Sequence, residues 1–201
     1  GSKVPVDAAF SLSSKKPVLD INLALKADVE ANDAFDHYVL SGLKIDVEGS
    51  GEGLPKGGVQ LASSADVDIN LADGMLKVSG LSVDGAGVSL NGDLSVAEFN
   101  LTPKVNGDLQ LAQTNLKTLA ALFGSVIDTT DPQALTQVSA QLKLVQQGKV
   151  LKIDPLTIKL DDTSAKGYFH VLDPKAPVLR GKLDIDAINV DRYLPPTKEG
   201  D

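Results

Sequence analysis

Cysteine is missing from all 201 residues, so no disulfide, thiolate metal site or thiol nucleophile can form. That absence suits an oxidising compartment and the cytosol alike. Tryptophan is also missing and aromatics make up 4% of the chain, too few to fill a thick core alone. Arginine is scarce, at Arg180 and Arg192 only. With a net charge of −8, this argues against nucleic acid as a partner and against electrostatic docking on an anionic membrane surface.

No run approaches the roughly 20 apolar residues of a membrane-spanning helix, and no signal peptide is visible. Gly1-Ser2 reads as an expression remnant, and the chain as a fragment with any anchor or export signal outside it. Membrane contact is then expected only through parts outside these residues.

The residues needed for chemistry are equally thin. The two histidines, His37 and His170, stand in no ligand-spaced cluster and read as surface residues. Asp66 with Asp68, and Asp184 with Asp186, lie on the polar parity of strands but lack the glycine-punctuated loop that calcium sites use. Asp161-Asp162 reads as a turn, because adjacent strand-end residues point apart. There is no G-x-S-x-G, P-loop or dinucleotide fingerprint. The expectation is a protein that is not an enzyme, with no metal and no cofactor.

What the chain does have is alternation, and the alternation is written twice. Leu90, Gly92, Leu94 and Val96 share one parity, and Val105, Gly107, Leu109 and Leu111 share another. About 75 residues on, Ala165, Gly167, Phe169 and Val171 repeat the first series. Leu179, Gly181, Leu183 and Ile185 repeat the second. Two copies of one unit are expected, roughly 59–124 and 134–196, behind amino-terminal strands over 3–57 in the same single domain. In both copies the apolar parity switches at one place, around Gly80 and around Pro155, and Leu40 to Ile45 has the same break at Gly42. A bulge or sharp bend accounts for such a switch.

Taken in order, Val4 to Leu12 and Leu19 to Val29 read as antiparallel strands around a turn at Lys15-Lys16-Pro17, with a loop over Ala31 to Asp36. Tyr38 to Val47 reads as a strand, and Gly49 to Gly58 as a flexible connection and the best internal boundary. Strands follow at Leu61 to Leu71, Met75 to Val83, Val88 to Val96 and Phe99 to Leu111. A helix over Leu116 to Phe123, capped by Asn115 or Thr114, stops at Gly124. Asp131-Pro132 predicts a short helix to Gln137. Val138 to Val145, Val150 to Leu160, Ala165 to Val171 and Val178 to Ile185 complete the second copy, with a turn at Asp173-Pro174. A helical turn near Asp191 and a loose tail end it.

A dozen or so strands each carry a Leu/Val/Ile-rich face, and leaving such side chains in water forgoes roughly 1.5–3 kcal/mol apiece. The short helices cannot shield that face. Either the sheet folds on itself as a sandwich, or it curls into a groove filled by something apolar. Gly92, Gly107, Gly167 and Gly181 fit either strand curvature and close packing or a widened apolar channel.

Gly107-Asp108-Leu109-Gln110-Leu111 before Asn115-Leu116-Lys117-Thr118-Leu119 resembles the carboxy-terminal region of the bacterial AsmA family. So do Leu160-Asp161-Asp162-Thr163 before Gly167, and Val190-Asp191-Arg192-Tyr193-Leu194-Pro195. The resemblance covers about 59–196. It implies an envelope protein held in the inner membrane by an amino-terminal helix and exposed to the periplasm, related to TamB-like and chorein-like bridge proteins. Those carry phospholipid along an apolar β-groove, here between the inner and outer membranes. The implied ligand is phospholipid or another acyl-chain lipid. The groove candidates are Leu90, Gly92, Leu94, Val96, Val105, Gly107, Leu109, Phe169, Val171 and Leu183. The alternative is a structural module serving outer-membrane biogenesis through envelope protein partners.

Overall fold

Period-two alternation becomes one sheet. The computed structural model describes residues 2–173 and 178–196. Its strands are β1 (Val4–Lys15), β2 (Val18–Ala31), β3 (His37–Gly51), β4 (Val59–Asn70), β5 (Met75–Gly85) and β6 (Val88–Ala97). They continue with β7 (Lys104–Thr114), β8 (Val138–Gln147), β9 (Val150–Leu160), β10 (Thr163–Val171) and β11 (Leu179–Ile185). The spatial order is the chain order, β1 to β11, every neighbouring pair antiparallel and the sheet not closed. Among the described residues no second sheet packs against it, so of the two ways to cover the apolar face the sandwich is not the one adopted.

The two matching series occupy equivalent registers. Val78↔Leu94 and Leu81↔Gly92 in the first unit become Ile153↔Phe169 and Leu156↔Gly167 in the second. Gly92↔Leu109 and Leu94↔Gly107 become Gly167↔Leu183 and Phe169↔Gly181. The parity breaks are bulges, as the register shifts at Leu40/Leu43, Val78/Leu81 and opposite Leu142/Leu144 show.

Each glycine bulge turns through the left-handed region, Gly42 at φ 59° and Gly80 at φ 61°. An aspartate of the following strand takes the amide each one leaves unpaired. Asp66 Oδ1 accepts from Gly42 N at 2.7 Å, and Asp93 Oδ1 from Gly80 N at 2.8 Å. In the second unit the residue matching Gly80 is Pro155, which has no N–H, and the one matching Asp93 is Tyr168. Where the donor is gone, so is its carboxylate.

Three expectations are corrected. Gly49 to Gly51 are strand rather than flexible connection, since β3 runs to Gly51 and pairs Gly49 with Val59, leaving only residues 52–58 between the strands. Phe99 to Pro103 is not strand: Glu98 sits at φ 56°, Phe99 N donates to Gly74 O, and Leu101 N to Glu98 O, so the chain turns before β7 begins. Asp131 to Gln137 forms turns and no helix. Leu135 lies at φ 63°, and the Asp161 carboxylate accepts from Leu135, Thr136 and Gln137 N at 2.8–3.1 Å, drawing those amides out of any helical ladder.

The helix α1 (Leu116–Leu122) forms as expected, with the Asn115 side chain accepting from Thr118 N. Gly124 follows at φ 75°. Of its expected apolar face, Leu116, Leu119 and Ala120 are half-buried, while Phe123 stays exposed. A second Asn-capped turn, the 3-10 helix Val190–Tyr193, follows β11. The turn at Asp173-Pro174 lies partly, and the tail beyond Pro196 wholly, outside the described residues.

Candidate functional site

Tracing the register across the sheet puts the apolar parity of every strand on one side. One row runs Phe10, Leu23, Val47 and Leu61 through β1 to β4. Another runs Leu94, Gly107, Leu144, Ile153, Phe169 and Gly181 through β6 to β11. All ten groove candidates therefore share one face: Leu90, Gly92, Leu94, Val96, Val105, Gly107 and Leu109 in the first unit, and Phe169, Val171 and Leu183 in the second. Candidates confined to 90–183 leave out the amino-terminal strands, whose Phe10, Leu12, Leu23 and Leu25 continue the face. Their own alternation is the signal that reveals them.

Among the described residues nothing seals this face: no large side chain is fully buried, and the buried hydrophobic residues are the four alanines Ala27, Ala65, Ala134 and Ala165. Phe10 is 64% exposed, Leu12 60% and Leu183 48%. A domain of this length normally hides its large aliphatic residues. Here they line an open surface.

The mid-strand glycines curve the sheet. A Cβ added to Gly92 would overlap the Asp108 carbonyl oxygen, and one added to Gly167 the Lys182 carbonyl oxygen. The added carbon would point to the apolar side, so the next strand's backbone comes round onto that side and makes it concave. At Gly107 and Gly181 the obstruction is a side chain instead: Leu94 Cδ2 at 2.6 Å and Phe169 Cδ2 at 3.0 Å from an added Cβ. These two glycines are seats for large neighbours, which favours curvature and close packing over a channel widened by missing side chains.

Several polar groups hold structure, while the buried His170 Nε2 has no hydrogen-bond partner among the described residues. His37 Nε2 pairs with Asp68 Oδ1 at 2.9 Å, Lys182 with Asp184, and Asp186 Oδ1 accepts from Ser164 and Ala187 N. His170 is half-buried against Tyr168, with ring centroids 4.8 Å apart, and so is less of a surface residue than expected. Among the described residues no cluster of three His, Cys, Asp or Glu could hold a metal ion.

The densest polar knot closes one end of the second unit. Arg192 bridges Asp131 (Nε to Oδ2, 2.6 Å) and Asp162 (Nη1 to Oδ2, 2.8 Å). The Gln133 amide and then Arg192 hold the Asp131 carboxyl below its ordinary range. Desolvation and then Asp161 push the Tyr193 hydroxyl above its own. Ala134, with no exposed surface, lies inside this knot. At the matching end of the first unit, Leu122 of α1 instead faces Val47, Val59 and Leu61 across a cleft of about 800 Å³.

Compared with protein-family models, curated proteins and solved structures, the chain matches none.

Proposed function

We propose that this chain is a non-enzymatic lipid-conduit segment of a bacterial envelope protein. Its concave apolar face takes phospholipid acyl chains while the Asp, Lys, Ser and Asn of the other face meet water. The observation that carries this reading is the continuous apolar face across eleven strands with no fully buried large side chain. Moving a half-exposed Leu or Phe out of water contributes roughly 1 kcal/mol, so a face of this extent favours a long, flexible, apolar occupant. Acyl chains conform to an open trough, and among the described residues no cluster of metal-binding side chains competes for it. In this reading the whole protein is anchored to the inner membrane and works in the periplasm.

Photocrosslinking tests it directly. A benzophenone side chain at Leu94 or Leu109 should capture phospholipid in cells, and one at Asp93 or Ser95, on the opposite face, should not. Lipid at neither pair, with native mass spectrometry of gently purified protein also lipid-free, would remove the conduit. A structural module acting through protein partners is the second reading, and the two open sheet edges favour it.

A further inference from the structure

The connections at one end of the sheet hold large apolar side chains in water. Three of them stand there in a row: residues 32–36 between β2 and β3, 71–74 between β4 and β5, and 98–103 between β6 and β7. Backbone hydrogen bonds join them, Leu71 N donating to Asp36 O at 2.7 Å and Phe99 N to Gly74 O at 3.0 Å. On this joined end Phe35 is 69% exposed and Leu101 80%, and Leu71 and Met75 at the middle connection are exposed as well. Turn chemistry does not call for such residues. The matching hairpin of the second unit, β8–β9, is closed by Gly148-Lys149 alone.

Phe35 is held in water against its own preference. Its φ of 55° lies in the left-handed region, which a bulky side chain rarely adopts and which Asn or Gly takes readily. The turn enforces it. Phe35 N donates to Asn32 O at 3.1 Å, the Tyr38 hydroxyl donates to Phe35 O at 2.8 Å, and Asn32 Oδ1 accepts from Asp36 N and His37 N. Backbone strain of this kind collects where a protein holds a ligand or a partner. The charge around the patch says which. Asp33, Asp36 and Asp73 lie on the same loops, and none of them pairs with a cation among the described residues. Asp36 and Asp73 meet the neutral side chains of Asn32 and Asn70, whereas Glu98 is matched by Lys104. Three uncompensated carboxylates repel an anionic lipid surface and attract lysine and arginine.

We propose that these three loops are a docking surface for a partner protein that offers an apolar groove edged by Lys or Arg. Phe35 and Leu101 are the anchors that enter the groove, Leu71 and Met75 lie on the connection between them, and the carboxylates meet the cations at the rim. None of these residues is among the lipid-groove candidates, so the surface does not depend on the lipid reading.

Met75 is the single methionine of the chain. Protein isotopically labelled at the methionine methyl therefore gives one resonance, and it reports on this patch. A helical peptide of leucine and lysine, standing in for the partner, should shift that resonance, and its leucine–glutamate counterpart should not. Phe35→Asn should weaken the peptide's binding about tenfold and raise the thermal midpoint at the same time, because asparagine relieves the left-handed turn. Leu101→Ser should weaken binding as much with an unchanged midpoint, and Asp33→Lys with Asp73→Lys should abolish it. A resonance unmoved by the leucine–lysine peptide, or moved equally by both peptides, would overturn the proposal. So would a larger shift with phosphatidylcholine vesicles than with the peptide, which would make the occupant a lipid surface. A lowered midpoint in Phe35→Asn would overturn it too, by making Phe35 a structural residue.

Discussion

The two units share a backbone and differ in how their ends are fastened. Ala86 and Asp161 occupy the same turn, at φ 50° and 51°. In the second unit the side chain there gathers three amides of the incoming linker, and Arg192 ties that linker to the next turn. In the first, a methyl group offers nothing, and a cleft stands open beside α1. Identical strand registers therefore do not imply equal rigidity. The strand registers match, while side chains at the ends leave one unit fastened and the other open.

Substitutions can break this comparison, the largest effect first. Gly167→Ala and Gly92→Ala should each cost about 3 kcal/mol of unfolding free energy, since the added methyl meets backbone and the strands must part. Gly107→Ala should cost under about 1 kcal/mol, because it meets only the far end of Leu94. Urea melts of the three variants check the ordering. Asp161→Ala should cost about 2 kcal/mol through the loss of three charge-assisted hydrogen bonds. Faster hydrogen exchange at Leu135, Thr136 and Gln137 would report it, while Ala86→Gly should leave exchange around α1 unchanged.

A smaller effect separates the bulges. Asp93→Ala should cost about 1 kcal/mol by releasing the Gly80 amide, whereas Tyr168→Ala frees no amide at Pro155. Thermal melts of the two variants distinguish them. The smallest effect is acid sensitivity of the second unit's knot. Because the folded Asp131 carboxyl titrates below its ordinary range, its contribution is complete above the unfolded carboxylate value near pH 4 and is lost as pH falls through the folded value. Exchange at the Gln133 amide should rise in that window beyond the change in intrinsic rate, and Arg192→Ala should shift its onset upward.

Strands were legible because alternation is a local signal that survives in every strand from Val4 to Ile185. The apolar parity of each strand was legible, but that Leu94 and Phe169 lie on one side follows only from the register between strands. The failures have one physical cause. Asp131-Pro132 is a sound helix start, yet Asp161, 25 residues away in sequence, competes for the amides the helix would use. Asp66 read only as a carboxylate on the polar parity because its partner, Gly42, lies on the preceding strand at a distance only the register sets.

The order of the strands has a last consequence. Each strand packs chiefly on the ones before and after it, and the ties that skip strands, such as Arg192 to Asp131, lie in the connections. Melting should therefore start at the β1 margin and advance inward as a zipper does.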